Sequence, residues 1–119
     1  YEALGTTFVK QYYLIFDDPA TRATTATFYS QNDSFMTFEG DQLQGYYKIL
    51  EKVKSLSFQK VNRVLTTVDC QPTFDGGVLI NVLGIVQCDE DPPHSYSEIF
   101  VLKPGTSPSA YYLAHDIIR

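Results

Sequence analysis

FQKVNRVLTTVDCQPTFDGGVLINVLGIVQCDE, residues 58–90, decides the fold. Its first half alternates Phe58, Lys60, Asn62 and Val64 with Gln59, Val61, Arg63 and Leu65, the period of two that a pleated strand imposes. Asp75-Gly76-Gly77 then interrupts the run with residues suited to a tight turn. The second half sets Val78, Ile80, Val82, Gly84, Val86 and Cys88 against Leu79, Asn81, Leu83, Ile85, Gln87 and Asp89, and both sets are largely apolar. A strand apolar on both faces has to be covered on both. HSYSEIFVLKP (94–104) and SAYYLAHDIIR (109–119) complete four long strands.

Upstream of this stretch the period is that of a helix. Leu4, Phe8, Tyr12, Ile15 and Phe16 fall on one face of a helix over residues 2–17. Asp18 as cap and Pro19 at the first helical position predict a second short helix reaching about Tyr29. SFMTFEG from Ser34 and DQLQG from Asp41 read as a small hairpin around a Gly40-Asp41 turn. A third helix begins near Tyr46, with Tyr46, Ile49, Leu50, Val53 and Leu56 inward and Lys48, Glu51, Lys52 and Lys54 outward. Helices in one block and strands in another predict an α+β domain, three helices against one face of a cone-shaped, curved antiparallel sheet. The mouth of such a cone is a natural pocket. With all helices on one side, a second copy of the chain is the simplest cover for the other, and a sheet-to-sheet homodimer is expected.

The chain of 119 residues is sized for one domain, residues 1–119. Its net charge of −5 disfavours nucleic acid and favours basic protein surfaces. Cys70 and Cys88 lack metal-ligand spacing and read as buried free thiols in a reducing compartment. The opening YEALGTTF has no secretory pattern and no apolar run approaches a membrane span, so a soluble intracellular protein is expected. No cofactor motif, GxSxG, Gly-rich phosphate loop or HExxH occurs. His94 and His115 are candidate bases with Asp69 or Asp116 as partner, yet His115 and Asp116 are strand neighbours and face opposite ways. The nine tyrosines read as core rims with wet hydroxyls, and a non-enzymatic role is expected.

CDEDPPHSY (88–96) admits three readings: a metal site, a solvated turn, or an anionic docking patch. Consecutive strand residues point to opposite faces, and the alternating calcium-loop pattern is absent, which disfavours metal. In an extended segment Asp89 and Asp91 share a side and Glu90 turns away. Choosing between turn and patch needs a second feature.

FVKQYYLIFD, FEGDQLQG, ILEKVKSLSFQKV, DCQPT and DEDP, in this order and spacing, closely resemble the nuclear transport factor 2 family over residues 2–92. The resemblance implies a cystatin-like cone, a homodimer, and a carrier that takes the GDP form of the small GTPase Ran into the nucleus. It also implies binding to FxFG-type nucleoporin repeats, hence residence in cytoplasm and nucleus and at the nuclear pore complex. An aromatic finger of the GTPase would enter the cone while its basic neighbours meet rim carboxylates, here Glu39, Asp89 and Asp91. The pocket wall carries over onto Phe38, Leu56, Val61, Ile117 and Ile118, and the nucleoporin-binding aromatic onto Tyr1. Phe38 stands where the family word WEG has Trp, and Ile118 where the family generally has an aromatic. A module binding FxFG peptides without the GTPase, or an enzyme resembling ketosteroid isomerases, would use the same cone.

Overall fold

In the computed structural model, which describes residues 1–105 and 110–119, helix α1 (Glu2–Phe16) buries Phe8, Val9, Tyr12, Tyr13 and Phe16 along one stripe. Gly5 lets it lie close to the sheet, because a Cβ there would come within 2.5 Å of the Cys70 sulfur.

The next element is shorter and tighter than its sequence predicts. A 3₁₀ helix covers Arg22–Phe28 rather than 19–29. The Asp18 carboxylate accepts from the Ala20 amide in a turn of its own instead of capping a helix. Thr24, Thr25 and Thr27 each donate their hydroxyl to the carbonyl three residues back. Those local bonds compete with an α-helical ladder.

Strands β1 (Phe35–Phe38) and β2 (Asp41–Gln44) pair antiparallel with Phe38 opposite Asp41. The turn is therefore Glu39-Gly40, one residue earlier than expected, and both residues have positive φ, 49° and 96°. Two such residues twist a two-residue turn to match its strands. Helix α2 (Tyr46–Ser55) follows, burying Ile49 and Val53. Then come β3 (Val61–Pro72), β4 (Val78–Cys88), β5 (His94–Pro104) and β6 (Tyr111–Ile118). Of the stretch read as the last strand, Ser109 lies outside the described residues.

The six strands form one open sheet in the order β2-β1-β6-β5-β4-β3. Pairing is antiparallel throughout except between β1 and β6, which run parallel, so the sheet is mixed rather than wholly antiparallel. Register shifts at Leu65/Thr67 and Val101/Leu102 mark bulges, which bend and twist the strands that carry them.

The inner face of β4, with Val78, Ile80 and Val82, is buried in a core shared with α1, Phe100, Leu102 and Leu113. On the outer face Val64, Leu83, Ile85 and Ile117 remain 37–63% exposed, with none of the described residues over them. Both faces of β4 are apolar, as the sequence indicates, and the described residues cover one.

Candidate ligand-binding cavity

Four segments converge at the open end of the curved sheet: the C-terminal turn of α1, the β1-β2 turn, the loop from α2 into β3, and the β4-β5 turn. Between them lies a cavity of about 300 Å³ walled by the rings of Tyr12, Phe16, Phe38, Phe58 and Tyr96, with Val86 and Ile118 beside them. A larger, more polar groove of about 720 Å³ runs between the start of α1 and β3, but no aromatic ring lines it. The smaller cavity has the mostly apolar lining and few convergent polar groups of a ligand site.

The rim is built by unusual backbone. Glu39 sits in the left-handed region, and its amide donates to the Ile118 carbonyl at 3.1 Å, which ties the hairpin tip to the end of β6. Across the mouth, Asp89 is also left-handed, at φ 53°. Its amide donates to the Lys60 carbonyl, and its Oδ1 accepts from the amides of Gln59 and Lys60 at 2.9 Å each. Those backbone bonds, from Lys60 and then Gln59, hold its carboxyl below the usual range. Asp91 then reaches the cavity lip beside His94 and Arg119, facing Glu39 and Phe38.

The wall is braced by ion pairing. Arg63 makes a two-pronged contact to Asp17 at the end of α1, Nε to Oδ2 at 2.9 Å and Nη2 to Oδ1 at 2.7 Å. Its guanidinium lies 3.9 Å from the Tyr13 ring centre and 5.0 Å from that of Tyr96. Burial opposes its charge, and Asp17 outweighs that opposition, so Arg63 is held above its ordinary value. The Tyr96 ring in turn lies across Gly84, where a Cβ would fall 2.8 Å from a ring carbon. The Val64 carbonyl oxygen would be closer still, at 2.6 Å, so backbone and ring together require glycine there.

Two acids lie at the floor. Glu98, 3% exposed, lines the cavity, and Asp116 is fully buried behind it. The Tyr13 hydroxyl donates to Glu98 Oε1 at 2.7 Å, and the Tyr29 hydroxyl to Asp116 Oδ2 at 2.6 Å. Since Tyr29 has only one proton to give, Tyr12 is the donor in the 2.9 Å bond between their hydroxyls.

The nuclear transport factor 2 domain matches residues 4–119. The chain belongs to the nuclear transport factor 2 family. It is 38% identical to the probable nuclear transport factor 2 of Caenorhabditis elegans, over 100% of this chain and 91% of that protein. It is 39% identical to nuclear transport factor 2 of Saccharomyces cerevisiae, over 100% and 93%. Nuclear transport factor 2 of Cryptosporidium parvum superposes with a TM-score of 0.91 at 33% identity, covering 99% of this chain and 92% of that one.

Within this nuclear transport factor 2 domain the residues singled out in the sequence separate. Glu39, Asp91, Phe38 and Ile118 meet at the cavity. Asp89 does not line it: its left-handed backbone breaks the expected alternation with Asp91, and its Oδ1 is occupied by Gln59 and Lys60. Ile117 is corrected to the outer face, because it pairs with Ile99 while its neighbour Ile118 pairs with Glu98. Val61 stands on the same sheet face as its partner Cys88, yet only Cys88 lines the cavity. Leu56 lines a separate shallow groove with Pro19, Arg22 and Val53. Tyr1, 58% exposed, precedes α1 and lies roughly 15–20 Å along the helix axis from Tyr12. His94 is at the mouth and His115 on the outer face, stacked on Phe35.

Glu98 has a signal in the sequence. In SYSEIFVL it occupies the alternating set of Tyr96, Phe100 and Leu102, an acid in an otherwise apolar row. The Arg63–Asp17 pair, 46 residues apart, left no such trace.

Proposed function

We propose that this protein is a nucleocytoplasmic carrier that binds the GDP form of Ran at the cavity and FxFG nucleoporin repeats elsewhere on its surface. The observation that carries the reading is Glu39 and Asp91 standing on the lip of a ring-walled cavity of side-chain size. An aromatic anchor inside would provide most of the affinity, and the rim carboxylates would set register and encounter rate with basic partner residues. Membership of the family supports the same reading.

Asp89 contributes in a different way from Asp91: by fixing the loop, it presents Asp91 to the partner. The exposed outer sheet face is where a second copy of the chain would pack, giving the homodimer. Tyr1, exposed at the head of α1, is the aromatic offered to nucleoporin repeats, and transit through the nuclear pore complex follows from that contact. No catalytic step is part of this role.

Isothermal titration of Ran-GDP tests the reading. Glu39→Lys is expected to weaken binding by about 2 kcal/mol, since a like charge replaces a partner. Glu90→Lys, outside the cavity, is expected to change it little. Absence of binding by the unmodified protein, with an FxFG peptide still bound, would leave a nucleoporin-binding module without a GTPase partner.

A further inference from the structure

The acids at the cavity floor have more oxygens than protein donors. Glu98 and Asp116 are diagonal neighbours on the inner face, Glu98 opposite Ile118 and Asp116 opposite Phe100. Tyrosine hydroxyls occupy Glu98 Oε1 and Asp116 Oδ2. Glu98 Oε2 and Asp116 Oδ1 are both buried without a hydrogen-bond partner among the described residues, and their diagonal positions on the inner face set the two carboxyls side by side. Two carboxylates are acceptors only and cannot bond each other, and two unpaired buried charges side by side would be prohibitively costly.

We propose that Glu98 and Asp116 hold one proton between them, carried on Glu98 and directed at Asp116, as a proton-binding site built into the cavity floor. The assignment to Glu98 follows from the neighbours. Burial pushes the Asp116 carboxyl up, but the shared proton and the Tyr29 hydroxyl, itself backed by Tyr12, favour its ionised form. Glu98 receives only Tyr13. Burial first, then the charge of Asp116, pushes the Glu98 carboxyl well above the usual range.

The surroundings are otherwise quiet. From α1 the pair meets Tyr12 and Tyr13, and after the 3₁₀ helix Tyr29, all three driven upward first by burial and so remaining hydroxyl donors. From β3 comes Arg63, already committed to Asp17, and from β5 Tyr96 and, at the mouth, His94. β4 and β1 supply Val82 opposite Glu98 and Met36 opposite Asp116, neither titratable. Sharing the proton leaves the floor with one charge, held by tyrosines, and the neutral acid toward the cavity.

The pair makes folding proton-linked. The folded state keeps a proton that an unfolded glutamate releases near pH 4.3, so the stabilisation is full below that value and is lost as pH rises through the folded titration of Glu98. Over that window the folding equilibrium constant falls by up to about tenfold per pH unit. Glu98→Gln keeps both bonds, its amide donating to Asp116 and its carbonyl accepting from Tyr13, and removes the proton.

Urea unfolding from pH 5 to pH 8 without any partner, together with ¹³C carboxyl shifts of Glu98 and Asp116, tests the site independently of GTPase or nucleoporin binding. The expected results are a Glu98 carboxyl still protonated at pH 6 in the unmodified protein, and a shallower pH slope in Glu98→Gln. Ionised shifts for both carboxyls at pH 6, or identical slopes in the two proteins, would overturn the proposal. If Glu98→Gln does not fold, the shifts in the unmodified protein decide alone.

Discussion

Arg22 is 3% exposed, yet nothing about TRATTATF marks it as an interior residue. Its Nε donates to the Phe16 carbonyl at the end of α1, and Nη1 to the carbonyls of Phe58 and Leu56 at 2.7 and 3.3 Å. The guanidinium lies 4.0 Å from the Phe58 ring centre, so one side chain joins α1 to the loop that enters β3. Arg22→Ala would leave three carbonyls without this donor and open a void beside Phe58, costing about 3 kcal/mol of stability in urea unfolding. Arg22→Lys should recover only part of that loss, since an ammonium lacks the planar fork. Partners 6 to 36 residues away define this arginine, and sequence pattern carries no information at that range. Glu98 is the contrasting residue, because strand alternation alone places it inside.

The turns, more than the strands, shape the cavity. Asp89 in the left-handed region stabilises the β4-β5 turn through the amides of Gln59 and Lys60. In Asp89→Ala those two amides should exchange faster with solvent, while Asp89→Asn, which tolerates the backbone and keeps an acceptor, should stay close to the parent. The same protection is expected to persist at neutral pH and to be lost on acidification. A depressed carboxyl contributes above its unfolded value and ceases to do so as pH falls through the folded one. DEDP was readable as an acidic cluster, but the division of work between its first and last acid was not. Extended geometry would set Asp89 and Asp91 on one side, and a single positive φ at Asp89 removes that alternation. The β1-β2 turn moved by one residue for a related reason: Glu39 accepts a conformation that sequence preference would have given to Gly40.

At the scale of the molecule, the doubly apolar pattern of β4 made both the α+β layering and the exposed outer face foreseeable. The parallel insertion of β6 beside β1 was not, since periodicity fixes which face a residue takes and leaves strand order open. If two copies pack through that outer face, Ile85→Glu places a charge in its middle, and sedimentation should shift from the two-chain to the one-chain mass. An unchanged mass would argue against a dimer through this face.

The strand order also bears on how the domain is made. β6, the last of the six strands to leave the ribosome, lies between β1 and β5. Until residues 111–118 emerge, the early hairpin has no neighbour in the sheet, the floor lacks Asp116, and β5 presents a bare edge to other chains. During synthesis the nascent chain is therefore most open to mispairing just before β6 emerges, and shielding by a chaperone would matter most in that interval.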